Sequence, residues 1–218
     1  MASDLLAEAK EAIKQMLQDH KKTFAYSIRD LDRCNLRQLE LNLTTEVPIY
    51  QCRRRLSPGD EEICRAKCKE LLDAEVIRPS ESPYAAAIVV AARTDLAGTV
   101  LQRRMCGDYR DLNRVTVPDR YTMPTAEEIF DRLANARLIS TFDLRQGFNQ
   151  IAIREQDKKK TAFYGADGLY EWNTMPFGLR NALAVFQRTM DQGLRDVPNA
   201  ACYINDVIAF SSSEDEHT

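Results

Sequence analysis

Three side chains of this 218-residue sequence stand where they could do chemistry together: Asp143, Asn205 and Asp206. Asp143 ends a short apolar run, Leu138–Phe142. Asn205 and Asp206 follow Cys202-Tyr203-Ile204, inside what reads as a hairpin. If those strands are neighbours, the three side chains converge on one small patch. Carboxylates gathered in that way hold hard divalent cations, which prefer oxygen over sulfur or nitrogen. Two such ions about 3.5–4 Å apart can activate an attacking hydroxyl and steady a leaving pyrophosphate, the chemistry of nucleotidyl transfer. Each piece alone has an ordinary reading. An aspartate at a strand end is usually turn chemistry, and so is a Tyr-x-Asn-Asp tetrapeptide. The bend Pro176-Phe177-Gly178 before a helix is by default a loop.

The elements that must position this patch read as a mixed α+β chain. Leu5, Leu6, Ala9, Ile13, Met16 and Leu17 recur at helical spacing. Residues 24–56 show little periodicity and read as an extended arm. Ser57 and Pro58 open a helix that runs to about Glu75. Ala85–Arg93 and Val100–Tyr109 form a hairpin around Gly98. Thr125-Ala126-Glu127-Glu128 is a capping box. Thr161–Tyr164 and Leu169–Thr174 are strands joined at Asp167-Gly168. A helix covers Asn181 to about Val197, and two strands over Ala201–Ser211 fold around Asn205-Asp206.

Composition sets the outer bounds. With 44% hydrophobic and 29% charged residues the chain has a core and is no disordered tail. The longest apolar run, Tyr84–Ala92, is too short to span a membrane. Asp4, Glu8 and Glu11 argue against a signal or transit peptide, so the expected location is intracellular, cytoplasmic or nuclear. A net charge of −3 and a pI near 5.6 do not by themselves announce a nucleic-acid partner, although Arg53-Arg54-Arg55, Arg103-Arg104 with Arg110, and Lys158-Lys159-Lys160 are local basic clusters. Of six cysteines, Cys64 and Cys68 stand one helical turn apart. No second pair matches them, so reduced thiols are expected in place of a zinc site.

Taken in order, the motifs resemble a known family. Phe142-Asp143-Leu144-Arg145-Gln146-Gly147-Phe148-Asn149-Gln150-Ile151 resembles the first catalytic motif of Gypsy-type retrotransposon reverse transcriptases. Met175-Pro176-Phe177-Gly178-Leu179-Arg180-Asn181-Ala182, followed by Phe186-Gln187, resembles the second. Tyr203-Ile204-Asn205-Asp206-Val207 resembles the third, usually Tyr-x-Asp-Asp. Upstream, Val76-Ile77-Arg78-Pro79-Ser80 with Ser82-Pro83, and Asp108-Tyr109-Arg110 with Leu112-Asn113, are similar to fingers segments.

The resemblance implies a polymerase right-hand fold, with an antiparallel sheet packed on helices in fingers and palm and no thumb. An N-terminal helix and arm would fill residues 1–56, fingers and the fingers–palm region 57–134, and palm 135–218, ending after the third motif. It implies an RNA-directed DNA polymerase using magnesium or manganese, deoxynucleoside triphosphates, and an RNA or DNA template with primer. Asp143 and Asp206 would be metal ligands, and Asn205 would stand at the third catalytic position. Phe148 would reject a ribose 2′-hydroxyl, and Arg104, helped by Arg93, would meet the triphosphate. Phe177 and Gly178 would shape the nucleotide pocket, and Arg110 would face the template. Asn205 replaces an aspartate that is a principal metal ligand in the family, so impaired catalysis is expected, as it is from a chain ending before the thumb. The alternative is a catalytically inactive module, descended from a retroelement, that binds nucleic acid or serves as a scaffold.

Overall fold

The computed structural model describes residues 7–94 and 100–217; the side chains of 7–9, 93–94, 100–102 and 214–215 lie outside that description. Leu5, Leu6 and the Gly98 link fall outside it as well. In chain order the elements are α1 (Ala7–Asp19), β1 (Cys34–Leu39), α2 (Pro58–Asp73), β2 (Ile77–Pro79), β3 (Ile88–Thr94) and β4 (Val100–Gly107). Then come α3 (Arg110–Val115), α4 (Ala126–Leu133), β5 (Leu138–Asp143), β6 (Ile151–Ile153), α5 (Glu155–Lys158), β7 (Phe163–Tyr164) and β8 (Leu169–Trp172). The chain closes with α6 (Ala182–Gly193), β9 (Ala200–Tyr203), β10 (Asp206–Ser211) and α7 (Glu214–His217). No helix among the described residues is long and apolar enough to cross a membrane.

The chain folds as two units. One combines Met1–Leu31, Tyr121–Arg145 and Gln187–Thr218, and the other Asp32–Arg120 with Gln146–Phe186. The first unit is built on a three-stranded antiparallel sheet ordered β5-β10-β9. Asp206 pairs with Asp143, and the register runs without a break to Ser211 against Leu138. α4 begins where the sequence says it should: the Thr125 hydroxyl accepts from the Glu128 N–H, and the Glu128 carboxylate accepts from the Thr125 N–H. Arg132 near its end reaches the Ala200 carbonyl at 2.6 Å, anchoring the helix to β9. His217 of α7 joins Ser140 of β5 (Nε2, 2.8 Å) to Ser211 of β10 (Nδ1, 2.9 Å).

In the second unit the Ser57 hydroxyl accepts from the Asp60 N–H and Pro58 occupies the first turn of α2, so the helix starts as its residues dictate. Cys64, Cys68 and Leu71 form its buried face. β3 and β4 pair as a hairpin, Ile88 against Gly107 and Ala91 against Arg104. A second sheet, ordered β2-β8-β7, carries the aromatic core, where Phe163 lies 5.4 Å from Trp172 and 6.0 Å from Tyr170. The extended-arm reading of 24–56 needs correction. Cys34–Leu39 is a strand, parallel to β6, with Cys34 paired to Ile151 and Leu39 to Ile153. Leu39 and Leu41 are fully buried, so this segment belongs to the core.

Candidate active site

Two antiparallel strands place the acidic residues. Because Asp206 is the register partner of Asp143, both side chains leave the same face of the sheet, with Cα atoms about 4.5–5.5 Å apart. The Leu144 N–H donates to the Asn205 carbonyl at 2.9 Å, which carries the pairing up to the turn. Both carboxylates are exposed, and among the described residues neither is taken up by an ion pair. Like charges directly opposite each other cost about 0.2–1 kcal/mol unless something neutralises them.

The turn between β9 and β10 sits one residue earlier than expected. Tyr203 pairs with Asp206, leaving Ile204 and Asn205 as the two central residues. Ile204 takes the left-handed conformation, φ 58°. Its branched Cβ makes that costly, about 1–2 kcal/mol. The Asn205 Oδ1 is buried and has no hydrogen-bond partner. Such an orphaned oxygen, one residue before Asp206, is a buried acceptor left without a partner. Among the described residues no three His, Cys, Asp or Glu side chains are placed to share an ion. The strand pair therefore offers two carboxylates.

What holds the hairpin is Gln187 of α6, a residue of the second motif to which the sequence assigns no role. It is 0% exposed. Its Oε1 accepts from the Ile204 N–H at 3.2 Å, and its Nε2 donates to the Cys202 carbonyl at 3.0 Å and to Asp191 at 2.9 Å. One side chain thus holds two backbone groups on the N-terminal side of the strained residue. Its signal in the sequence is a glutamine directly after Phe186, on a helix face that should be apolar. Cys202 beside it is inert: burial, then Asp191 and Asp206, push its thiol up to about 12.

The remaining candidates lie in the other unit. Phe148 is only 4% exposed and packs edge-on between Phe177 (centroids 4.7 Å) and Phe186 (5.0 Å). Phe177 is 55% exposed, so it forms the open side of this stack. Gly178 has φ +90°, while a Cβ there would meet only ordinary contacts at 3.8 Å from Gly107 and Tyr109. Backbone conformation, and not lack of space, makes it glycine. Asn113 clamps the bend, donating to the Gly178 carbonyl and accepting from the Arg180 N–H, each at 2.8 Å. We expect Gly178→Ala to lower stability by about 1–2 kcal/mol in urea unfolding through φ strain alone.

Arg104 lies exposed on β4. The neighbouring Arg103, facing the other way along the strand, pairs with Asp60 at 2.6 Å. The backbone of Arg93 lies in β3 opposite Gln102, and its side chain is outside the described residues. Arg110 makes a two-point ion pair with Asp108 at 2.8 and 2.6 Å, and Arg54 adds a third contact at 2.6 Å. These arginines, with Tyr50 and Arg114, line a cleft of about 450 Å³. Arg110 holds the Asp108 carboxyl down to about 2, below its ordinary value. A depressed carboxylate stabilises the fold above its unfolded pKa, and that contribution is lost as pH falls from about 4 toward about 2. Asp108→Asn should therefore flatten the acid limb of an unfolding-versus-pH curve in that window.

A family profile described as "Reverse transcriptase (RNA-dependent DNA polymerase)" matches residues 101–218. The chain belongs to the reverse transcriptase family. Its relatives include the retrovirus-related Pol polyprotein from transposon 297 of Drosophila melanogaster, 41% identical over 81% of this chain and 17% of the relative. They also include the Pol polyprotein from transposon gypsy of the same organism, 35% identical over 95% of this chain and 20% of the relative. The Gypsy-type resemblance is thus borne out, and the chain spans about a fifth of the length of these polyproteins. The foamy viral protease-reverse transcriptase in complex with RNA/DNA hybrid shares the fold, with a TM-score of 0.86 at 20% identity over 98% of this chain and 28% of that one. This bears out the expected mixture of helices and antiparallel sheets. In reverse transcriptase terms, all three motifs read from the sequence lie inside the matched segment.

Proposed function

We propose that this chain is the nucleotide-adding part of a retroelement's RNA-directed DNA polymerase, acting on an RNA or DNA template with primer and on deoxynucleoside triphosphates. The observation that carries this reading is the register match of Asp143 with Asp206, directly after Asn205 and its orphaned oxygen in the chain. Asp143 and Asp206 would hold magnesium or manganese, with Asn205 lending a neutral oxygen. When bound, the ions supply Lewis-acid activation of the primer hydroxyl and charge stabilisation at the leaving pyrophosphate. The protein's own residues do the positioning. Gln187 fixes the hairpin so that Asp206 faces Asp143. Phe148, wedged between two other rings, has little room to retreat and would exclude a 2′-hydroxyl by overlap.

Arg104 would meet triphosphate oxygens through its planar fork, with Arg93 assisting. Phe177 and Gly178 would border the nucleotide. Arg110 would face the template from the arginine-lined cleft, where Tyr50 offers a ring for base stacking. We assign 57–134 to fingers and the fingers–palm region and 135–218 to palm. A second reading, a catalytically impaired or inactive module that still binds nucleic acid, is favoured by one observation: Asn205 removes a negative charge from the place where two cations must be held together.

Primer extension on an RNA template with magnesium tests the proposal. Asp143→Ala should abolish any extension by the parent or by an Asn205→Asp variant, while binding of primer-template, weakened by salt, persists. Extension that survives Asp143→Ala would overturn it. Phe148→Val should lower the preference for deoxynucleotides over ribonucleotides, on the order of tenfold or more. That ratio is independent of how much protein is folded, so a stability loss cannot mimic the effect.

A further inference from the structure

α2 and β4 hold a cluster that the polymerase reading leaves unused. Cys64 and Cys68, 0% and 3% exposed, lie one turn apart on the buried face of α2. Met105 of β4 touches both, its Sδ 3.6 Å from the Cys64 Sγ and 3.9 Å from the Cys68 Sγ. The Ala166 N–H faces the two cysteine sulfurs, and Arg53 donates to the Ala166 carbonyl at 2.8 Å. Gly165 permits this close backbone approach: a Cβ there would stand 3.1 Å from the Cys68 Sγ.

We propose that Cys64, Cys68 and Met105 form a three-sulfur site for one soft monovalent ion, copper(I). Three sulfurs each about 2.3 Å from a shared ion stand about 4 Å apart in a trigonal arrangement, and the distances from Met105 are already close to that. Thiolate and thioether donors select copper(I) over hard cations. Zinc would want a fourth ligand, and no third His, Cys, Asp or Glu joins the pair among the described residues. Both thiol protons leave on binding and copper stays in its +1 state, so the filled site carries one net negative charge. The Ala166 N–H and the Arg53 guanidinium face that charge, while Asp167 opposes it. A hydrogen bond from Cys68 draws the Cys64 thiol below its ordinary value, and the same bond together with burial pushes Cys68 up.

Anaerobic titration of the whole chain with copper(I) buffered by bicinchoninate should withdraw one equivalent, and X-ray absorption should show sulfur neighbours alone. Met105→Leu keeps the core volume and should weaken binding about tenfold or more; Cys68→Ala should remove it. A double Cys52→Ser, Cys106→Ser variant, which removes two exposed thiols, should bind as the parent does. Circular dichroism identifies variants that fold. A parent that withdraws no copper, a folded Met105→Leu protein that binds as tightly as the parent, or loss of binding in the double variant would overturn the site.

Discussion

Asn205→Asp should raise primer extension by on the order of 10²–10³-fold. The two side chains are nearly isosteric, and the Asn205 Oδ1, one residue before Asp206, is buried with nothing bonded to it. The substitution adds one negative charge where two dications must be held close together. At about 4 Å and an effective dielectric near 20, one charge pair is worth about 4 kcal/mol, which corresponds to roughly that range of rate. The same charge should work against the protein when no cation is present. The end of the hairpin then carries three carboxylates, so the variant should melt below the parent in chelator and recover when magnesium is added. Steady-state extension and paired melts check both halves. A variant that melts identically with and without magnesium and extends no better than the parent would count against the site.

Gln187→Met should be the most damaging single change to the hairpin. The side chain is completely buried, so its volume must be kept, and methionine keeps it. What is lost is polar. The Ile204 N–H and the Cys202 carbonyl lose the partners they have at 3.2 and 3.0 Å. Each unsatisfied buried group costs about 1–3 kcal/mol, so a loss of about 2–6 kcal/mol is expected in urea unfolding. Ile204 holds φ 58° only while its surroundings enforce it, so the turn should relax once the grip is gone. Extension by an Asn205→Asp, Gln187→Met protein should then fall further than its folded fraction does. A midpoint unchanged by Gln187→Met would mean the hairpin stands without it.

Local chemistry made much of this legible in the sequence. Ser57 and Thr125 announced their helices because a cap needs only the next three residues. The β3–β4 hairpin and the meeting of Asp143 with the Tyr203–Asp206 segment followed from apolar runs bounded by turn residues. β1 stayed hidden because four of its six residues are exposed and its partner, β6, lies more than a hundred residues away. Neither alternation nor a nearby turn marks such a strand. The turn was misplaced by one residue for an instructive reason. Preference puts asparagine, not isoleucine, in the left-handed position, and here Gln187 enforces the opposite. Strain of that kind collects where function overrides local preference. The clamping role of Asn113 was also beyond reach, since its partners Gly178 and Arg180 lie some 65 residues on.

Cation binding to the chain without nucleic acid addresses the acidic patch most directly. Manganese can be titrated and followed by electron paramagnetic resonance in the parent, in Asp143→Ala and in Asp206→Ala. A saturable site in the parent, weakened at least tenfold by either substitution and tightened by Asn205→Asp, is the predicted outcome. An isotherm indifferent to both carboxylates would contradict the assignment of Asp143 and Asp206 as one metal-holding pair.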